Sequence, residues 1–379
     1  MARIGIIGCG SRINGVVRRI IESSNGGIEV FGVMDPSDES VATARRLFGD
    51  RIVRFDDYRA LCSDPKVDWM FIGSWNAFHR DHTVAAFEAG KHVFCEKPLA
   101  LTIEECNEIR SAWKKSGKQF TIGFTLRYSP HYQEIKRIID SGEIGEIISM
   151  EFNETLEFNH GGYIHSDWRR FRKNAGTHLL EKCCHDVDLV NWLVGSKARR
   201  VASFGGLNFF LPKNAGRIEE LGIDHRGLKA YQTWPSTTQL NPFTAEKDII
   251  DNQVAIIEFE SNARATFHTN CNSGIPERRM YINGSKGAIR PDVIAGSIEV
   301  VKIGFGEKAR QCGTAGKGGH GGGDAHLAES VVQSMLRGAE SVTNVEDGVK
   351  SAVTCFGIDE AADSGRVVDM APLWKRAGY

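Results

Sequence analysis

Ile4-Gly5-Ile6-Ile7-Gly8-Cys9-Gly10-Ser11-Arg12-Ile13-Asn14-Gly15 is the stretch whose reading decides the fold. An apolar run suited to a buried strand ends at a Gly-x-Gly turn, and helical spacing follows it. Gly8 permits the tight turn, and Gly10 lets backbone N–H groups approach a pyrophosphate at the helix N-terminus. The third position of a G-x-G-x-x-G fingerprint is filled by Ile13, with Gly15 two residues on. Asp35 ends the next apolar run, 25 residues after Gly10, and Pro36, Ser37 and Asp38 follow it with no Arg among them. A carboxylate there accepts hydrogen bonds from an adenosine ribose and repels a 2′-phosphate, so the predicted cofactor is NAD and not NADP. The bland alternative is a Gly-rich turn with an Asp cap and no ligand.

Working outward, short apolar runs alternate with amphipathic stretches, the pattern of parallel strands joined by helical crossovers. Strands are expected at 4–7, 29–34, 69–73, 92–95 and 120–123, with helices over 78–89 and 103–116 that end at Gly90 and Gly117. After about Arg127, longer runs rich in Phe, Ile, Val and Thr predict a mostly antiparallel sheet from 147–158, 199–210, 252–259, 263–270, 278–282 and 297–303. A helix over 177–194 interrupts them. Residues 211–247 show no clear period and read as a long excursion of the kind that often forms a lid. A glycine-rich run, 313–323, precedes helical spacing over 325–336 and 345–362. The expected fold class is α/β: a doubly wound Rossmann domain over 1–125, then an α+β substrate domain over 126–379.

Composition narrows the function. With 47 Lys+Arg against 48 Asp+Glu, the formal charge of −1 offers no field for a nucleic-acid backbone or an anionic membrane. The start, Met1-Ala-Arg-Ile, enters a strand at once and has no signal-peptide layout, so a cytoplasmic location is expected. Nine Cys without a CxxC pair read as reduced thiols.

Phe94-Cys95-Glu96-Lys97-Pro98-Leu99-Ala100 resembles the Glu-Lys-Pro signature of the glucose-fructose oxidoreductase / inositol dehydrogenase (Gfo/Idh/MocA) family, and Glu88-Ala89-Gly90-Lys91-His92-Val93 is similar to its preceding helix exit. Trp168-Arg169 and the helix bearing His185 follow in the family's order. The resemblance implies a Rossmann domain, an open C-terminal sheet whose faces build dimers or tetramers, and a Lys97-Pro98 bond that is commonly cis. Lys97 lies just past a parallel strand's C-terminal end, where ligands bind in such sheets; its ammonium can donate to a substrate hydroxyl and favour a developing alkoxide. His185 matches the family's catalytic histidine, which takes the hydroxyl proton as hydride leaves. Glu181 stands where the family usually has Asp, and shares a helical face with His185 and Asp188. A metal at these three is rejected, since hydride transfer to NAD needs none and no further His or Cys pair has matching spacing. The expected cofactor contacts are Gly8, Gly10, Ser11, Arg12, Ile13, Asp35, Ser74, Asn76, His79, Glu96 and Lys97.

Arg169, Arg170, Arg172 and Lys173 place four cations in five residues after Trp168, a cluster that asks for an anion. Arg127 and Tyr128 near the domain junction, and Tyr163 and His165 in an aromatic loop, suit hydroxyl recognition or, equally, packing. Gly319-His320-Gly321-Gly322-Gly323-Asp324 resembles a motif of a family subset: His320 contacts a sugar, or the run is a turn with Asp324 as a cap. The leading expectation is an NAD-dependent oxidoreductase acting on a secondary hydroxyl of a sugar, polyol or sugar derivative. An NAD-dependent glycoside hydrolase using transient oxidation is the alternative, and a non-catalytic NAD sensor the third.

Overall fold

A computed structural model describes every residue except Thr237, Gln239 and residues 314–318, so the middle of the glycine-rich run lies outside the described residues. The chain divides into two units, one of Met1–Tyr132, Gly316–Ala352 and Arg376–Tyr379, the other of Gln133–Ala315 and Val353–Lys375. A single boundary after residue 125 misses this late return. Its cause is apolar: Leu327, Ala328, Val331 and Val332 are buried in one core with Ile4, Ile6, Ile13, Val16, Val17 and Ile20.

In the first unit, β1 (Ala2–Ile7), β2 (Ile28–Met34), β3 (Val53–Arg54), β4 (Trp69–Ile72), β5 (His92–Cys95) and β6 (Phe120–Ile122) form one sheet in the order β3-β2-β1-β4-β5-β6. Every pairing is parallel. This order reverses beside β1, which opens a crevice at the C-terminal strand ends. The helix Ser11–Ser23 buries Ile13, Val16, Val17 and Ile20, an i, i+3, i+4, i+7 stripe that holds it on the sheet. The helix Ile103–Ser116 has the expected bounds, set by a Thr102–Glu105 capping box and by Gly117 at φ +64°.

The second unit is built on β7 (Ile147–Glu157), β8 (Ala198–Gly206), β9 (Asn252–Phe259), β10 (Arg264–Ser273), β11 (Met280–Gly284), β12 (Gly287–Asp292), β13 (Ser297–Lys302), β14 (Arg310–Cys312) and β15 (Val368–Asp369), ordered β14-β13-β12-β11-β7-β10-β9-β8-β15. The β7–β10 pair is parallel and the other pairs are antiparallel. Strand β12 escapes a pattern reading because it contains Pro291, which argues against a central strand. Its pairing with β11 uses Ala288 and Ile289, so Pro291 falls beyond that ladder and faces Ile298 of β13.

Two expectations need correction here. The aromatic segment around Tyr163 and His165 is the helix Phe158–Ser166, with the Glu157 carboxylate accepting from the N–H groups of Asn159 and His160. Its Gly161 and Gly162 weaken a helix locally, but a Cβ on them would lie 1.7 Å from the Cys271 oxygen and 2.1 Å from the Tyr231 oxygen. Close approach to β10 and to the 231 segment selects glycine at both. The excursion over 211–247 is also less lid-like than its sequence: Tyr231 and Phe243 are buried with Phe210, Ile218 and Ile249 in a core of their own.

Candidate active site

Gly8 sits at φ +81°, and a Cβ there would lie 2.5 Å from the Ser74 nitrogen. A Cβ on Gly10 would meet nothing within 4 Å, and the helix starting at Ser11 has no side-chain cap on its first turn. Open space in front of uncapped N–H groups fits a dinucleotide pyrophosphate. Asp35, half-buried, accepts from the Cys9 N–H at 2.6 Å and the Ser37 N–H at 2.8 Å. Burial, aided by Asp35, pushes the Cys9 thiol up to about 12, so it stays protonated.

Ile13 at the third fingerprint position is accommodated from the other side. A Cβ on Gly73 would lie 2.4 Å from the Ile13 Cβ, so the glycine that lets helix and sheet approach stands after β4 and not on the helix. Gly73 was not singled out by sequence reasoning, because nothing local shows that it faces Ile13.

Just beyond, Ser74 Oγ pairs with His82 Nδ1 at 2.9 Å, and the ring nitrogens of buried His79 lie 2.7 Å from the Pro98 carbonyl and 3.1 Å from the Ser74 carbonyl. Burial lowers the pKa of His79 against the pull of these carbonyls, and a neutral ring donates to one of the two. Asn76, also buried, starts the short turn Asn76–Phe78. Lys97, half-buried, follows β5 and precedes a cis bond to Pro98. Arg12 points inward: Nε donates to Glu96 Oε1 at 3.0 Å, Nη1 to Asp324 Oδ1 at 2.6 Å and Nη2 to Thr125 Oγ1 at 2.7 Å.

Three expected substrate contacts of this unit have internal partners. Arg127 is buried against Asp347 at 3.0 Å, Tyr128 Oη shares a hydrogen bond with Thr343 Oγ1 at 3.0 Å, and His320 Nδ1 faces Asp324 Oδ2 at 3.1 Å. The first two are buried on these partners.

In the second unit the expected helix over 177–194 begins as a π turn, Leu179–Cys183, and becomes α-helical over Cys184–Val194. Such turns are frequent at functional sites. Glu181 lies on the π turn, and His185 and Asp188 on the α-helical part; all three are buried. Arg169 Nε donates to Glu181 Oε1 at 3.0 Å and its Nη1 to Tyr163 Oη at 2.7 Å, while its guanidinium lies 4.3 Å from the Trp168 ring centroid. The cationic run is therefore largely spent: Arg172 pairs with Asp363 at 3.0 Å, and Arg170 donates to the backbone carbonyls of Glu246 and Asp167. Lys173 is exposed, with Nζ 5.4 Å from the Phe171 ring centroid. His165 is a correction: it is fully buried, stacked on Phe210 at 4.2 Å, and burial lowers its pKa to about 3, so it is a neutral core residue.

Sequence reasoning also missed a buried ionic cluster. Arg278 holds Asp186 through two bonds of 2.8 and 2.7 Å, and Glu154 pairs with Lys182 and Arg278 at 3.0 Å each. Burial pushes Asp186 up to about 7 against the pull of Arg278, whereas for Glu154 the two cations outweigh burial and hold it low. Glu154, Cys183 and Asp186 bring ligand atoms within 4.8 Å of one another, but Lys182 and Arg278 already supply the countercharge that a metal would.

Among the described residues, no helix is long and apolar enough to cross a membrane. Residues 2–124 match the family model described as "Oxidoreductase family, NAD-binding Rossmann fold", and residues 136–370 match that of its "C-terminal alpha/beta domain". A putative oxidoreductase of Bacillus subtilis, YteT, is 24% identical over 95% of this chain and 95% of its own. An inositol 2-dehydrogenase of Salmonella typhimurium is 32% identical over 52% of this chain and 56% of its own. The structure of a levoglucosan dehydrogenase with NADH and levoglucosan superposes with a TM-score of 0.80 at 21% identity, covering 98% of this chain and 99% of the other, a likeness of fold. With both family models matched in sequence order, this chain belongs to the Gfo/Idh/MocA oxidoreductases, enzymes with an NAD-binding Rossmann domain followed by an α/β domain.

Proposed function

We propose that this oxidoreductase removes hydride from a secondary carbinol of a sugar, polyol or sugar derivative, with NAD as acceptor. The observation that carries the reading is the Arg12–Glu96 hydrogen bond at 3.0 Å, which ties the turn bearing Lys97 to the first turn of the dinucleotide helix. Bound NAD supplies the hydride acceptor. Gly8 and Gly10 admit its pyrophosphate, and Asp35 receives the ribose hydroxyls and disfavours a 2′-phosphate. Lys97 donates to the reacting hydroxyl oxygen and favours negative charge there. His185 takes the hydroxyl proton, and Glu181, held by Arg169, orients substrate hydroxyls with Tyr163 and Trp168. The substrate class follows the relatives, which act on an inositol and on levoglucosan. Because Arg169 and Arg172 already pair with Glu181 and Asp363, neutral hydroxyls suit the site better than an anionic group.

The test is a panel of polyols, sugars and their glycosides incubated with NAD and with NADP. One NADH per substrate oxidised, with NAD preferred, is expected; aglycone release with no net NADH would replace this reading by the transient-oxidation glycosidase. A uronate preferred over its neutral counterpart would return the cationic run to substrate binding. We further propose a homo-oligomer built on the open sheet: Phe204 and Val254, cross-strand partners on β8 and β9, are 71% and 48% exposed, and Ile256 is 57% exposed. Phe204→Glu should lower the mass measured by light scattering if a second copy covers this face.

A further inference from the structure

Arg12 follows the Gly-x-Gly turn and is an expected cofactor contact, yet three of its nitrogens are committed to protein oxygens. Those oxygens come from three separate stretches: Glu96 after β5, Thr125 after β6, and Asp324 at the start of the helix Gly323–Arg337. Space for this junction is cut into the backbone. A Cβ on Gly123 would lie 2.8 Å from Glu96 Oε2, and one on Gly323 would lie 2.3 Å from the Thr125 oxygen. Both carboxylates are buried, so their charges need the guanidinium. Asp324 also receives His320, whose backbone lies at φ +54°.

We infer that Arg12 is a positioning residue: by bonding Glu96, Thr125 and Asp324 at once it fixes the turn on which Lys97 stands relative to the dinucleotide helix. The inference rests on the proposed role of Lys97 at the substrate hydroxyl. It separates Arg12 from the glycines of the same turn, which serve the cofactor, and gives the His320 motif a supporting part through Asp324.

Arg12→Gln, Arg12→Lys, Glu96→Gln and the double variant Arg12→Gln/Glu96→Gln test it on the full chain. NADH affinity is measured by fluorescence titration, and kcat and KM on whichever panel alcohol the wild type oxidises. Arg12→Gln should leave the NADH Kd within about threefold and the substrate KM little changed, while kcat falls by about 10-fold or more. Arg12→Lys, which keeps the charge, should recover part of that loss. The double variant should be no slower than Arg12→Gln alone, as expected of two residues acting through one contact. A rise in NADH Kd of about 10-fold or more, with kcat restored at saturation, would show that Arg12 serves the dinucleotide and overturn the inference, as would additive losses. Failure of the functional reading looks different, because the wild type itself would then oxidise no alcohol of the panel. In that case the labelling rate of the Lys97 amine by an acylating reagent, followed by mass spectrometry with NADH bound, decides: a change of about threefold or more in Arg12→Gln supports the positioning role, and an unchanged rate refutes it.

Discussion

The turn after β1 and the helix bearing His185 both carry chemistry, but they are built by different physics. Around Gly8 and Gly10 the decisive features are backbone ones: a positive φ, open space at a missing Cβ, and N–H groups without a cap. Around His185 the decisive features are buried charges held in balance, with Glu181 on Arg169 and the pair Glu154 and Asp186 on Arg278 and Lys182. Backbone requirements are written in the local sequence as glycines, whereas a charge's partner lies anywhere along the chain. Arg278 is 92 residues from Asp186.

The comparison can be broken most forcefully at that cluster. Arg278→Ala removes the guanidinium that both buried carboxylates share, with Lys182 still paired to Glu154, and should cost about 3–5 kcal/mol in denaturant unfolding. The loss should be larger at pH 8 than at pH 5.5, since Asp186, pushed up to about 7, is protonated at the lower pH. A loss under about 1 kcal/mol at both values would mean that the cluster is not what holds this region.

Next in size is a half-buried carboxylate of the same unit. Burial pushes Asp359 up to about 7, although Thr177 and Gln253 donate to it. Its folded pKa is raised above the unfolded value near 4, so the stability it contributes is present below pH 4 and is lost as pH rises through 7. Asp359→Asn should therefore gain on the wild type across that window, by on the order of 2–4 kcal/mol, and show no further change above it. A difference independent of pH would contradict the assignment.

Turnover compares the two regions directly. Lys97→Ala and His185→Ala should each keep NAD binding and lose about two or more powers of ten in kcat. Near-normal turnover in either variant would remove that residue from the chemistry.

The smallest expected effect sharpens the first region. Gly73→Ala drives a Cβ to 2.4 Å from that of Ile13 and should destabilise by about 1–3 kcal/mol. Adding Ile13→Gly, which removes the opposing Cβ, should return part of the loss in thermal unfolding; simple additivity would mean that the two positions do not share one contact.

The same distinction governs how much could be read in advance. Strand β5 and the helix Ile103–Ser116 have the bounds that apolar runs, caps and glycines predicted, because each of those signals is local. The helix Phe158–Ser166 was hidden by two glycines whose reason is the Cys271 and Tyr231 carbonyls pressed against them. Arg127, Tyr128 and His165 carry polar atoms suited to a sugar, and burial sets them against Asp347, Thr343 and, through His165 Nδ1, the Gly161 carbonyl.

Sequence by itself determined the doubly wound first unit, the mostly antiparallel second sheet and the NAD-binding turn, since strand periodicity and Gly-x-Gly spacing are short-range. The tertiary structure alone decided that residues after the glycine-rich run return to the first unit, that Gly73 stands in for the third glycine, and that Arg12 grips Glu96, Thr125 and Asp324. Those outcomes depend on which distant atoms share a small volume. A residue's own neighbours in the chain carry no record of that.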